Sequence, residues 1–295
     1  MLVFETIKQY SDFFDNKTLH PLINYVDLSQ AKPFPRNRVR VDFYAIFIKD
    51  TICGEFRYGN GFYDYAEGTM IFVGPNQIIG SEPEGEMHQP YGKALIFHPD
   101  LIKGTSLGKQ IHEYSFFSYQ LNEALHLSDR EREIVEHCYA NIVSEISQNI
   151  DKHSKKILVA NLELLLKYCF RFYDRQFIMR ETVNYGVIEQ FEQKLIHYLQ
   201  SEHLKTNGLP SVNYFAHALH LSSNYFGDLI KKETGKTAME FIHLKLMEVA
   251  KERVLDPTKS ISEISYDLGF KYPQHFTRLF KQKIGVSPLE YRGLN

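Results

Sequence analysis

The last third of the chain repeats itself, and this duplication limits the possible folds more than any other feature. Phe226, Leu229, Lys231, Gly235, Thr237, Glu240 and Phe241 are matched fifty residues later by Phe276, Leu279, Lys281, Gly285, Ser287, Glu290 and Tyr291. Upstream, Ala216, Leu219 and Leu221 match Ser265, Leu268 and Phe270 at an offset of forty-nine. One extra residue in the second copy's turn explains the slip.

Each copy has a local physical logic. In the first, Val212 to His220 reads as a short helix, Leu221 to Ser223 as a tight turn, and Asn224 to Thr234 as a second helix ended by Gly235. In the second, Ser260 and Glu263 form a capping box for a helix running to Leu268. Gly269 then permits the turn, and Pro273 opens the next helix at a tolerated first-turn position. Thr237 with Glu240, and Ser287 with Glu290, box the helix that follows each copy. Two helices joined by a short turn form the helix-turn-helix unit, whose second helix can enter the DNA major groove. Between the copies, Thr237 to Leu255 reads as one helix of nineteen residues, or roughly 28 Å. That length suits two reading helices about one DNA turn, roughly 34 Å, apart. A plain helical bundle is the competing reading, and duplicated turn chemistry with polar outer faces on both second helices counts against it.

GFKYPQHFTRLFKQKIGVSPLEYR resembles the signature segment of the AraC/XylS transcription regulators, and LSSNYFGDLIKKETGKTAMEFI resembles their first helix-turn-helix. The resemblance covers about Glu189 to Arg292. It implies an α+β chain of two domains. Residues 1–177 would be a cupin-like β-barrel with two trailing helices, serving effector binding and dimerisation. Around Met179 to Gly186 the helical pattern lapses into RETVNYG, which reads as a linker over 178–186, and it resumes at Val187 for an all-α domain over 187–295 with two helix-turn-helix units joined by a long helix. The implied partners are double-stranded DNA, a small-molecule effector, a second copy of the chain and RNA polymerase. The implied role is activation of transcription in the cytoplasm.

Helical spacing then nominates the DNA contacts. Gln274, Thr277 and Arg278 lie at i, i+3 and i+4 and share a face, while Phe276, Leu279 and Phe280 turn toward the core. Arg278 suits guanine O6 and N7, and Gln274 suits adenine N6 and N7, each pair worth about 1–3 kcal/mol of discrimination. His275 is a phosphate contact or simple surface. In the first copy, Asn224, Tyr225, Gly227 and Asp228 take the outward positions. Asp228 is repelled by phosphate and can at most accept from cytosine N4, and Gly227 has no side chain. The two reading helices are therefore expected to be unequal. Lys231, Lys232, Lys281 and Lys283 are candidates for phosphate, or are solvated charges.

The first half reads differently. From Val39 to about Phe97, the runs VRVDFYAIFI, TICGEFRY, GFYDYAEG, TMIFVGP and ALIFHP alternate with glycine- and proline-rich turns, which reads as an antiparallel barrel or sandwich. Ser128 and Glu131 box a helix carrying Ile134, Cys138, Ile142, Ile146 and Ile150, and a second helix places Leu158, Leu162, Leu165 and Cys169 on one face. A barrel of this kind can enclose a ligand. Arg38, Arg40, Tyr44, Tyr58, Tyr63 and Tyr65 are the candidates, because they combine aromatic surface with hydrogen-bonding groups; core aromatics and surface arginines are the plain alternative. EGTMIFVGPNQ resembles the Gly-to-Pro turn of cupin barrels, but no His-x-His accompanies it, and His88 and His98 stand alone. No metal and no cofactor are expected.

Composition excludes other classes. The 43% hydrophobic and 24% charged balance of the 295 residues is that of a globular chain. The three cysteines, Cys53, Cys138 and Cys169, are scattered without CxxC spacing, which argues against disulfides and fits a reducing compartment. No run approaches eighteen uncharged apolar residues, so no membrane span is expected. Residues 187–295 carry 14 Lys and Arg against 12 Asp and Glu, a tilt that only permits nucleic-acid binding. Gly235, Lys236 and Thr237 look like the tail of a phosphate loop, yet residue 230 is Ile where that loop needs Gly. No catalytic constellation stands out, and the chain does not read as an enzyme. Two alternatives remain open at this point: a cupin-type small-molecule binding protein or enzyme with a helical assembly tail, and a dimeric DNA-binding regulator with no effector.

Overall fold

The computed structural model describes residues 2–35, 38–49, 57–58, 61–62, 68–79, 87–89, 91–119, 123–179 and 181–294. The chain divides into two compact units, Met1–Met179 and Arg180–Asn295.

Unit 1 begins with β1 (Leu2–Phe4), α1 (Ile7–Phe13), β2 (Ile23–Asp27), β3 (Phe34–Pro35), β4 (Val39–Val41) and β5 (Tyr44–Lys49). It continues with β6 (Arg57–Tyr58), β7 (Gly61–Phe62), β8 (Thr69–Val73), β9 (Ile78–Ile79), β10 (Met87–His88) and β11 (Lys93–Phe97). Two short helices, α2 (Pro99–Ile102) and α3 (Ser106–Gln110), precede β12 (Leu125–His126), α4 (Asp129–Ile146) and α5 (Ser154–Met179). The centre is an antiparallel five-stranded sheet in the order β12-β8-β5-β11-β2.

Its central strands are nearly continuous apolar runs because both faces are covered. Val26, Ala45, Val73, Ala94 and Ile96 lie on one face and pack with Phe4, Ile7, Tyr10 and Phe14 from β1 and α1. On the other face Ile46, Met70, Phe72, Leu95 and Phe97 are buried. There the Phe72 ring sits 4.5 Å from Phe116 and 6.0 Å from Tyr173, and Tyr139 Oη donates to the Ile46 carbonyl at 3.1 Å. Asn24, fully buried on β2, is satisfied on both sides of its amide. Its Nδ2 donates to Ser11 Oγ and the Lys17 carbonyl, and its Oδ1 accepts from the Leu19 amide.

The expectation of a cupin-like barrel meets a different arrangement here. Among the described residues the strands form separate sheets of three, two, five and two strands, with no closed ring. The run VRVDFYAIFI, which reads as one strand, breaks after Val41: β4 joins β1 and β9, whereas β5 enters the central sheet. The helix expected to reach Ile150 ends at Ile146, where Ser147 closes it and Ile150 is exposed. Leu158, Leu162, Leu165 and Cys169 of α5 are all fully buried. Arg175 anchors α5 to the start of α4, donating to both carboxylate oxygens of Glu131 and to the His126 carbonyl.

The interval read as a linker over 178–186 is largely helical, since α5 runs to Met179 and α6 (Glu181–Gln200) starts at Glu181. Thr182, Val183, Asn184 and Gly186 are weak helix formers singly, but propensity is a weak prior against a cooperative helix whose following turns are anchored by buried Phe191 and Leu195.

Unit 2 is all helix: after α6 come α7 (His203–Asn207), α8 (Val212–Ala218), α9 (Ser223–Thr234), α10 (Ala238–Val254), α11 (Ile261–Asp267), α12 (Pro273–Ile284) and α13 (Pro288–Leu294). The expected caps form. Thr237 with Glu240 and Ser260 with Glu263 are reciprocal capping boxes, and Ser287 exchanges the same pair of bonds with Glu290. Gly235 and Gly285 end α9 and α12 in the left-handed region, at φ 70° and 93°. The turn inside each copy also needs a left-handed residue. His220 supplies it in the first copy at φ 57° and Gly269 in the second at φ 78°. Only the second is obliged to be glycine, because a Cβ on Gly269 would lie 2.5 Å from the Leu204 carbonyl oxygen. Phe226 packs 5.0 Å from Phe191 in one half, and Phe276 packs 5.3 Å from Phe270 and 5.6 Å from Phe280 in the other.

Phe226 and Phe276 are both completely buried. Replacing either with Ala should therefore cost about 3–5 kcal/mol. Urea unfolding of the full chain checks this, and a loss under about 1 kcal/mol for either variant would contradict the duplicated core.

Candidate nucleic-acid interface

The candidate surface of unit 2 is built on the second helix of each copy. On α12 an inward set of Phe276 and Phe280 leaves Gln274, His275, Arg278 and Lys281 exposed, with Thr277 and Leu279 half-buried between them. Among the described residues, Arg278 makes no hydrogen bond or ion pair, so its guanidinium is available to an incoming acceptor. Gln274, Thr277 and Arg278 thus share one face, as helical spacing requires.

The helix α9 is seated more deeply. Tyr225, Phe226, Leu229 and Ile230 are all buried, a wider arc than on α12, and Asn224, Lys231 and Lys232 are exposed with Gly227 and Asp228 half-buried. This corrects the placement of Tyr225 among the DNA contacts. It is 3% exposed, its backbone N–H is held by the Ser222 cap, and its ring belongs to the core. At the matching position α12 carries the exposed His275, so the two copies diverge where one packs a ring and the other leaves an imidazole in water. What α9 presents is Asn224, Gly227, Asp228 and Lys231. A helix-interior glycine costs about 1 kcal/mol relative to alanine, so Gly227 is unfavourable for the helix itself.

Sequence reasoning missed two groups at the mouth of α12. Tyr272 is 46% exposed, with the Lys271 Nζ 5.9 Å from its ring centroid and the His275 ring 5.4 Å away. They stand at the start of α12, and the start of a helix favours an anion. The pointer in the sequence was Pro273, which marks Lys271 and Tyr272 as the residues just before the helix.

Behind these faces, helix ends are tied together by side chains. Arg253 donates to the Asp267 carbonyl at 3.0 Å and the Leu199 carbonyl at 3.2 Å, and Arg292 donates to the carbonyls of Val254 at 2.6 Å and Lys259 at 3.0 Å. Asp267 pairs with Lys259 at 2.6 Å and Lys205 at 3.3 Å beside a polar recess of about 280 Å³. The hydrogen bond from Lys259, with a second from Lys205, holds the Asp267 carboxyl below its ordinary range.

Of the candidate ligand residues of unit 1, the three described with their side chains, Arg38, Arg40 and Tyr44, do not converge. Arg38 is exposed just before β4, and its carbonyl accepts from the Leu2 amide. Arg40, on β4, has Nε 3.2 Å from Asp42 Oδ1, an ion pair without hydrogen-bond alignment. Tyr44 is on β5 in another sheet, stacked 4.9 Å from Phe97 on the helix-covered face, and burial pushes its hydroxyl pKa up. Tyr58 is in β6, with its side chain outside the described residues; Tyr63, Tyr65 and Cys53 lie outside them altogether. Among the described residues no group of three or more His, Cys, Asp or Glu is placed to hold a metal, and no helix is long and apolar enough to cross a membrane.

Residues 215–293 match a family model described as a helix-turn-helix domain. The xylose operon regulatory protein of Escherichia coli K12 is 31% identical over 100 residues, which cover 34% of this chain and 25% of that protein. An HTH-type transcriptional regulator of Bacillus subtilis strain 168, YtdP, described as uncharacterized, is 23% identical over 246 residues, 72% of this chain and 31% of that protein. The chain thus spans about a third or less of the length of these relatives. A solved C-terminal domain of AraT, a response regulator from Geobacillus stearothermophilus, aligns at 25% identity over 37% of this chain and 85% of that one, with a TM-score of 0.33.

The depressed carboxyl of Asp267 makes a pH-dependent contribution to stability. A carboxyl below its ordinary value of 3.8 in the folded state favours folding above that value, and the contribution fades as pH falls through the folded value. Asp267→Asn should accordingly destabilise the chain at pH 7, and its gap from wild type should shrink as pH drops below about 4. Thermal melts across pH check this; a gap that stays constant with pH would remove the ionic contribution.

Proposed function

Unit 2 carries a helix-turn-helix domain of the AraC/XylS type, and from that premise we propose that the chain is a regulator of transcription that binds specific duplex DNA through α9 and α12. The observation that carries this reading is the duplication itself: two equivalent helices, each capped and backed by its own aromatic core, turn polar faces outward. The 17 residues of α10 between them extend about 26 Å, which suits neighbouring major grooves on one side of a duplex. Gln274, Thr277 and Arg278 read bases, with Asn224 and Asp228 as the lesser readers on α9. Lys231, Lys232, Lys271 and Lys281 contact phosphate, with His275 and Tyr272 beside them. Sequence preference concentrates under α12.

In the same reading, unit 1 controls unit 2, the chain acts as an activator contacting RNA polymerase, and a small-molecule effector sets its state. The packing of unit 1 favours a second version in which it serves dimerisation without an effector. The central sheet is filled on both faces, while Ile157 and Leu164, seven residues apart on α5, are 43% and 45% exposed. Residues i and i+7 lie on one side of a helix, so they offer an apolar stripe to a second copy. The full chain should sediment as a dimer, and the double variant Ile157→Asp, Leu164→Asp as a monomer with unchanged helical content. A wild-type chain that stays monomeric at high concentration would exclude this interface.

The DNA reading is tested by enriching duplexes from a random-sequence pool with the full chain. Failure to enrich any duplex would leave a small-molecule protein with a helical assembly tail. On an enriched site, Arg278→Ala should weaken binding by about 1–3 kcal/mol and relax the choice of one base pair. Lys281→Ala should weaken all duplexes alike and lower the salt slope by about one. Unchanged base preference on removing Arg278 would take it out of the reading set.

A further inference from the structure

Gly227 has no role in the fold that requires glycine. It sits in the interior of α9, four residues after the helix begins, and its φ lies outside the left-handed region. The helix ends on a different glycine, Gly235, which does take left-handed geometry. A Cβ built on Gly227 would meet nothing within 4 Å, so no neighbouring side chain or backbone demands its absence. This contrasts with Gly108 and Gly269, where a Cβ would lie 2.2 and 2.5 Å from a carbonyl oxygen. The protein thus retains a residue that weakens α9 and gains no packing from it.

The position is not arbitrary on the surface. Gly227 lies on the outward stripe with Asn224, Asp228 and Lys231, at the place where α12 carries Thr277. A bare position in such a stripe exposes helix backbone that another molecule can approach more closely than any side chain would permit. The burial of Tyr225 on the inward side also leaves α9 with fewer projecting groups than α12, so close approach of the backbone is open to it beside the contacts of Asn224 and Lys231.

We infer that Gly227 is the point at which the backbone of α9 comes against duplex DNA, the missing Cβ making room for a nucleotide that the side chains of α12 hold farther off. Gly227 is then a positioning residue for the first reading helix and sets how deeply that helix enters the groove. This rests on the DNA-binding reading above.

The test compares full-length Gly227→Ala, Gly227→Leu and, as control, Gly186→Ala. Gly186 is also helical and also uncrowded, but lies on α6 and not on either reading helix. Stability and binding should move in opposite directions. Gly227→Ala should raise the melting temperature by about 2–5 °C, as the control does, since alanine is the better helix former. On duplexes enriched by the wild-type chain it should weaken binding about fivefold to a hundredfold, with Gly227→Leu weaker still. The salt slope should not change, because no cation is lost. Gly186→Ala should bind as wild type does. Tight binding by Gly227→Ala, a fall in its melting temperature, or an equal loss of binding in Gly186→Ala would each overturn the inference. Absence of duplex binding by the wild-type chain is a separate result, which overturns the functional reading and this inference with it.

Discussion

Carbonyl oxygens at the ends of helices have no partner within the helix, and the arrangement of unit 2 depends on how those of α6, α10 and α11 are satisfied. Two arginines do it. Arg253 spans from the Leu199 carbonyl at the end of α6 to that of Asp267 at the end of α11, and Arg292 binds the Val254 carbonyl at the end of α10. A planar, permanently charged fork meets two carbonyls that a flexible ammonium would engage only one at a time. Because α6 packs against the first copy through Phe191 and Phe226, and α11 belongs to the second, Arg253 fastens one half to the other. The spacing between α9 and α12 then follows from a rigid α10 with fixed ends.

Within that frame the copies differ in what they show to solvent. The same offset pairs Tyr225 with His275, Gly227 with Thr277 and Asp228 with Arg278. At each pair the second copy has the group better able to make a directed contact with a base or a phosphate. Burial of four residues on α9 against two on α12 supplies a physical basis for the asymmetry. A helix that commits more of its circumference to the core has less left for recognition.

Unit 1 shows how covering a sheet changes its use. With α1 and β1 against one face and Phe116, Tyr139 and Tyr173 against the other, the central strands become an interior layer. Tyr44 illustrates the consequence: its ring is engaged with Phe97 and Phe117, so its aromatic surface is part of the packing. The exposed apolar residues of the unit instead include Ile157 and Leu164 on α5.

Much of unit 2 was legible in its sequence because its determinants are local. Capping boxes, a proline at a helix start and left-handed glycines act within a few residues, and their repetition at a constant offset identified the two copies. The outward placement of Gln274 and Arg278 followed from 3.6-residue periodicity alone. Periodicity could not place Tyr225, since a position at the margin of the polar arc goes inward or outward according to what the neighbouring helices leave to be filled. The same limit applied to unit 1, where apolar runs announced buried strands but not which strands pair. The break after Val41, the separation of β4 from β5, and the joining of Arg253 to Leu199 and Asp267 depend on contacts between residues far apart in the chain. The sequence by itself determined the helix caps and the duplicated helix-turn-helix unit of the second half; tertiary packing decided where some helices continue or stop and which side chains remain at the surface, because burial belongs to the assembled neighbours and not to any one segment.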